Sequence, residues 1–180
     1  MKTFYRTRTY IAADFDHDKD AVDQLHKWNN DDYWSLTFTD AHELQTSNDS
    51  SLYCSIKSSL KMRMDHSKTF VLIVGDYTKS ITKGGCQYCG SYNSYNRWCA
   101  RSRSVVDYRS YIEYECEKAV EAGIKIIILY KAITVNRSKC PDTVKYLGYH
   151  TAMICYKSGK YYWDYVAVKK AFGDINNSLS

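Results

Sequence analysis

Two unbroken apolar runs decide the architecture: Thr69-Phe70-Val71-Leu72-Ile73-Val74, halted by Gly75-Asp76, and Lys125-Ile126-Ile127-Ile128-Leu129-Tyr130. Neither alternates apolar with polar residues. Each therefore predicts a strand apolar on both faces, as a parallel sheet covered by helices on either side requires. Around them the period changes. Val22, Leu25 and Trp28 recur at helical spacing and predict a helix from about Lys19 to Trp28. Leu52, Ile56, Leu60 and Met64 form an i, i+4 stripe behind several N-cap candidates between Gln45 and Ser51. A third helix is expected from Tyr108 to Ala122, closed by Gly123. Further strands are expected at Thr9 to Ala13, at Trp34 to Thr39 closing on Asp40, and near Ala152 to Tyr156, with a last helix near Asp164 to Phe172. This alternation predicts an α/β fold, an open doubly wound sheet of about five parallel strands with helices on both faces.

The bulk composition is compatible with that reading. A chain of 180 residues with one proline and eight glycines suits a single domain over residues 1–180 without a long linker. The net charge of +5 is spread among acids with no basic stripe, so a nucleic-acid partner is not expected. Met1 to Tyr10 carries no apolar signal core, and no apolar run approaches the ~20 residues of a membrane span. Seven cysteines without a secretion signal point to reduced thiols and a cytoplasmic protein.

Two segments interrupt the regular pattern. Thr78 to Val106 is rich in Gly, Ser, Asn, Tyr and Arg and far exceeds the usual ~2–6 residues between a strand and its helix. Thr134 to Tyr149, with Cys140-Pro141, is a shorter irregular stretch. Ligands of open α/β sheets bind outside the carboxyl ends of the strands, so the insertion at about 78–106 should overhang the cleft.

Three expected strands end in acids: Asp14 with Asp16, Asp40, and Asp76. Each is a cleft candidate and equally a turn former or helix cap. Glu115 is the sharper candidate. On a wheel of ~100° per residue centred on Ile112, Cys116, Ala119, Val120 and Gly123 define the buried stripe, while Glu113, Glu117 and Glu121 fall on or beyond its far border. Glu115 lies ~60° to the other side, beside Tyr108, Tyr111 and Ala119. A carboxylate there either faces a cleft, tuned by partial desolvation, or is a border glutamate bonded to a tyrosine.

Tyr111-Ile112-Glu113-Tyr114-Glu115, followed by the 125–130 strand, resembles the aromatic-aliphatic-x-x-Glu pattern opening the third helix of TIR domains. Arg8 to Asp18 (RTYIAADFDHD) resembles their first strand and loop, and Ser67 to Thr78 (SKTFVLIVGDYT) their third strand and its exit. The likeness runs over roughly residues 5 to 172 and is to the TIR-like (ThsB-type) proteins of bacterial Thoeris antiphage systems; the Cys140-Pro141 stretch is similar too. Departures are Tyr111 where the family has tryptophan, and Ala12, Ala13 and Asp14 where strand 1 usually ends in serine or phenylalanine. The resemblance implies a flavodoxin-like (TIR-like) fold and cleavage of NAD to nicotinamide and an ADP-ribose-type signal nucleotide, linear or cyclic. It implies Glu115 as the catalytic carboxylate and Asp14, Phe15, Asp40, Asp76 and Tyr111 at the substrate. NAD would be substrate, not cofactor. Self-association and a downstream effector protein are the implied partnerships, with no nucleic acid and no membrane.

Two other readings remain open. One is a TIR-like module that binds a nucleotide or protein without turnover. The other is a receiver-like phosphorylation domain, for which Asp14, Asp16, Asp76 and Lys157 supply the right residue types. Cys86-Gln87-Tyr88-Cys89 with Cys99 reads as reduced thiols or as a structural zinc lacking its fourth local ligand, which Cys140 or a histidine would have to provide. Cys54, Cys116 and Cys155 are expected in the core, and no histidine is assigned a role.

Overall fold

A computed structural model describes residues 6–41, 52–99 and 106–173. In chain order its elements are β1 (Arg8–Ala12), α1 (Lys19–Asn30), α2 (Tyr53–Asp65), β2 (Ser67–Val74), β3 (Tyr92–Asn93), β4 (Trp98–Cys99), α3 (Tyr111–Glu121), β5 (Lys125–Tyr130), β6 (Tyr149–Ala152), β7 (Ile154–Lys157), β8 (Lys160–Trp163) and α4 (Tyr165–Gly173). The main sheet runs β1-β2-β5-β6, and all its pairs are parallel. This is the α/β arrangement that the two apolar runs predict, and it has the flavodoxin-like form that the resemblance implies.

The runs lack alternation because both faces of β2 and β5 are covered. Phe70, Leu72, Ile126 and Ile128 join Tyr10 and Ala12 against Leu60 and Met64 of α2 and Ile112, Cys116 and Ala119 of α3. The intervening residues Val71, Ile73, Ile127 and Leu129 join Ile11 against Ala21, Val22, Leu25 and Trp28 of α1 and Val168 and Ala171 of α4. Adjacent side chains of a strand point to opposite layers, so each run feeds two cores. Register is fixed by direct pairing, with Tyr10 opposite Phe70 and Phe70 opposite Ile126.

Several expectations need correction. The sheet has four strands among the described residues, not five. The segment expected to be a strand from Trp34 to Thr39 is irregular. Asn29 of α1 accepts from the Phe38 amide (2.8 Å) and donates to its carbonyl (2.9 Å), consuming the groups a ladder would need. Thr37 adopts φ 54°, which no strand tolerates. Only an isolated parallel bridge remains, between Asp40 and Thr9. The last strand is β6, ending at Ala152; Ile154 to Lys157 belongs to a separate antiparallel hairpin with β8. The N-cap candidates between Gln45 and Ser51 lie outside the described residues. Of the cysteines expected in the core, Cys116 is buried, but Cys54 and Cys155 are only partly so.

Gly148, just before β6, has φ +74°, and a Cβ there would lie 2.2 Å from the Ile126 carbonyl oxygen. Gly159, in the β7–β8 turn, has φ +80° with open space around it. Gly148→Ala should therefore cost more than the ~1–2 kcal/mol of left-handed backbone alone, whereas Gly159→Ala should cost only that. Urea denaturation of the two variants checks the difference; equal losses would mean that β6 yields freely.

Candidate active site

The site is built on the first turn of α3. Ser110 caps the helix by accepting from the Glu113 amide (3.2 Å), and the Glu113 carboxylate accepts from the Ser110 amide (2.8 Å). This capping box fixes the helix start and thus the direction of residue 115. Ser110→Ala should lower stability by about 1 kcal/mol, read as a drop in the urea midpoint, while Ser110→Thr stays near wild type.

Glu115 points inward. It is 7% exposed, and Tyr10 of β1, fully buried, donates its hydroxyl to Glu115 Oε1 at 2.5 Å. Burial first, and the neighbouring carboxylate second, hold the Tyr10 hydroxyl well above its ordinary pKa, so it stays a donor at every physiological pH. One carboxylate oxygen is thereby held at a fixed place beside β1.

A cavity of 560 Å³ opens beside Glu115, and Ala13, Asp14, Phe15, Arg63, Lys83 and Tyr111 are among its lining residues. Asp14 and Phe15 come from the exit of β1, which places the cavity at the carboxyl end of the sheet as the switch-point rule expects. Asp14 is buried to 3% and its carboxylate is already engaged, by the His17 Nδ1 at 2.6 Å and the Asp16 amide at 3.1 Å. Phe15 is half exposed and offers its ring to the cavity. Tyr53 of α2 and Ile81 and Lys83 of the insertion complete the wall, so the insertion does reach the cleft. Burial raises the Tyr111 hydroxyl far above its usual range. Chemically the cavity combines a fixed carboxylate, aromatic faces and two cationic side chains, a set suited to a sugar, a ring and an anionic group.

Two sequence candidates stand elsewhere. Asp40 pairs in register with Thr9, near the start of β1, at the opposite end from Ala13. Its carboxylate meets His26 Nε2 of α1 at 3.1 Å. Asp76 is exposed and accepts from Lys139; that hydrogen bond and charge hold its carboxyl below the usual range. Neither lines the cavity. Lys157 lies on β7, outside the main sheet, so the receiver constellation is not assembled around Asp76.

Sequence reasoning missed Tyr10, Tyr53, Arg63 and Lys83. Arg63 carried a signal: it sits three residues after Leu60 and beside Met64, on the border of an apolar stripe, and it is 4% exposed. Lys57, beside Ile56, carried the same signal. It is also 4% exposed and donates to the carbonyls of Arg109 (2.6 Å) and Asp107 (3.3 Å). Its ammonium lies 3.3 Å from the Asp107 carboxylate, and burial lowers its pKa. At Asp107 burial works the other way, but Arg109 and Lys57 outweigh it and pull the carboxyl down to about 2. None of these three residues lines the cavity.

Among the described residues no three His, Cys, Asp or Glu side chains are grouped to hold a metal ion, so the zinc reading of Cys86, Cys89 and Cys99 gains no support. No described helix is long and apolar enough to cross a membrane. Residues 9–83 match the family model described as Thoeris protein ThsB, TIR-like domain. The match includes Asp14, Phe15, Arg63 and Lys83 and ends before α3, which carries Glu115. No curated protein matches the chain.

Proposed function

We propose, from the match of residues 9–83 to the ThsB TIR-like family model, that the chain is a Thoeris-type defence signalling protein that cleaves the nicotinamide–ribose bond of NAD. The carrying observation is the placement of Glu115: buried, pinned by Tyr10, and beside a 560 Å³ cavity at the strand ends.

In this reading the ribose of NAD lies against Glu115, whose carboxylate accepts from the sugar hydroxyls. As the glycosidic bond breaks, positive charge grows at the anomeric carbon, and a fixed carboxylate in a partly dry site stabilises that charge without reorganising. Arg63 and Lys83 face the diphosphate, and Phe15 or Tyr111 stacks on a ring. Asp14 holds the loop carrying Phe15 through His17 and the Asp16 amide, and acts on substrate through that loop. Water or another group of the same ADP-ribose captures the cation, giving a linear or cyclic nucleotide for a downstream effector. A second copy of the chain closes the open side of the cleft.

The test is nicotinamide release from NAD by the concentrated purified chain, alone and with extract of phage-infected cells, beside Glu115→Gln. Release by wild type only is the expected result. Silence under both conditions would favour the second reading, a TIR-like module that binds its nucleotide without turnover, as the ending of the family match before α3 would allow.

A further inference from the structure

A second cavity, of 270 Å³, lies between α2, Tyr114 of α3 and the insertion. Four of the seven cysteines of the chain line it: Cys54 of α2 and Cys86, Cys89 and Cys99 of the insertion. Lys57 and Asp107 line it too.

Within this group Cys86 and Cys89 are set apart by backbone geometry. They bracket a single 3-10 turn over Cys86–Tyr88, in which the Cys89 amide donates to the Cys86 carbonyl at 3.0 Å. A turn closed by that bond holds its first and last Cα atoms within ~7 Å, the separation a disulfide spans. Cys54 and Cys99 come from separate elements and have no such tether. The environments of the paired thiols also differ. Cys86 is 7% exposed, and its sulfur accepts from the Asp107 amide at 3.2 Å. Cys89 is partly exposed and open to a solute.

We propose that Cys86 and Cys89 are a reversible dithiol site that exchanges with small-molecule disulfides. The Cys89 thiolate attacks one sulfur of the solute disulfide, forming a mixed disulfide and expelling one thiol. The Cys86 sulfur, giving up its proton, then attacks the Cys89 sulfur and expels the second. Two protein thiols lose two electrons and become one S–S bond, and the solute disulfide takes up those electrons and two protons as two thiols. The Asp107 amide, donating to the Cys86 sulfur at 3.2 Å, fixes the position of the sulfur on which the second step depends. Because the same Cys86 is bonded through its own amide to the Asp107 carbonyl (2.8 Å), the oxidation state is registered where the insertion meets the approach to α3.

This inference does not depend on NAD cleavage. The full chain is equilibrated with oxidised and reduced glutathione, quenched in acid, alkylated and mapped by mass spectrometry. Wild type should lose two of its seven alkylatable thiols, with the bond mapped to Cys86–Cys89. Cys86→Ser should stop at the glutathione adduct on Cys89, and Cys89→Ser should leave Cys86 reduced. Cys54→Ser and Cys99→Ser should still form the pair. A bond mapped to any other pair, full alkylation in excess oxidised glutathione, or a bound zinc that shields all four thiols would overturn the proposal. Mapping on wild type alone decides it if a serine variant does not fold.

Discussion

Glu115→Gln should abolish nicotinamide release, by at least ~10²-fold, while leaving the fold as stable as wild type. The fold-change is that of removing one electrostatic stabiliser of a developing charge. Glutamine keeps the volume of the side chain and an oxygen able to accept from Tyr10, so the 2.5 Å contact survives in kind. What it loses is the negative charge that the sugar cation requires. Glu115→Ala would lose charge and contact together, and losing the buried hydrogen bond from Tyr10 should cost ~1–3 kcal/mol. Matched urea curves for wild type and Glu115→Gln, with activity lost only in the latter, would separate chemistry from scaffold. Full activity in the glutamine variant would remove Glu115 from the mechanism.

The second large effect falls away from the cavity. Asp107→Ala should destabilise the chain by about 3 kcal/mol, because it strands the Lys57 ammonium, 5% exposed, without its counter-charge. Adding Lys57→Met should restore most of the loss, since a methionine of similar length needs no partner. The pair also sets an acid limit. With its carboxyl pulled down to about 2 from an ordinary 3.8, Asp107 contributes roughly 2 kcal/mol above pH 4, which is lost as pH falls through 2. Wild type should therefore lose stability between pH 4 and 2 more steeply than Asp107→Ala. Parallel denaturation curves over that window would show that the ion pair contributes nothing net.

The sequence made the sheet readable where burial on both faces is written into a run of adjacent residues, as at 69–74 and 125–130. It misled at Trp34 to Thr39, where aromatic and β-branched residues suggest a strand but a side chain in the last turn of α1 occupies the backbone groups of Phe38. Glu115 was legible as a border residue, because helical angle depends on local spacing alone. Tyr10 was not, because its partner lies 105 residues away and nothing local marks a strand tyrosine as a hydrogen-bond donor. Asp40 and Asp76 failed as cleft residues for a related reason. Strand register and ion pairing place them, and neither is encoded next to them in the chain. Arg63 and Lys57 show a usable signal: a long cation on the edge of an apolar stripe is either solvated or needed inside.

Beyond its cavity-lining first part, the insertion is tied to the approach to α3 at one place. The Cys86 amide meets the Asp107 carbonyl at 2.8 Å, and the Asp107 amide meets the Cys86 sulfur at 3.2 Å. Cys86 and Asp107 are thus two adjacent feet, and Lys57 of α2 holds the second through the Asp107 carbonyl. Closing a loop with fixed feet costs only ~0.6 kcal/mol more for each doubling of its length. A change of length between these two feet should therefore leave the strands, the cap of α3 and the bearing of Glu115 where they are.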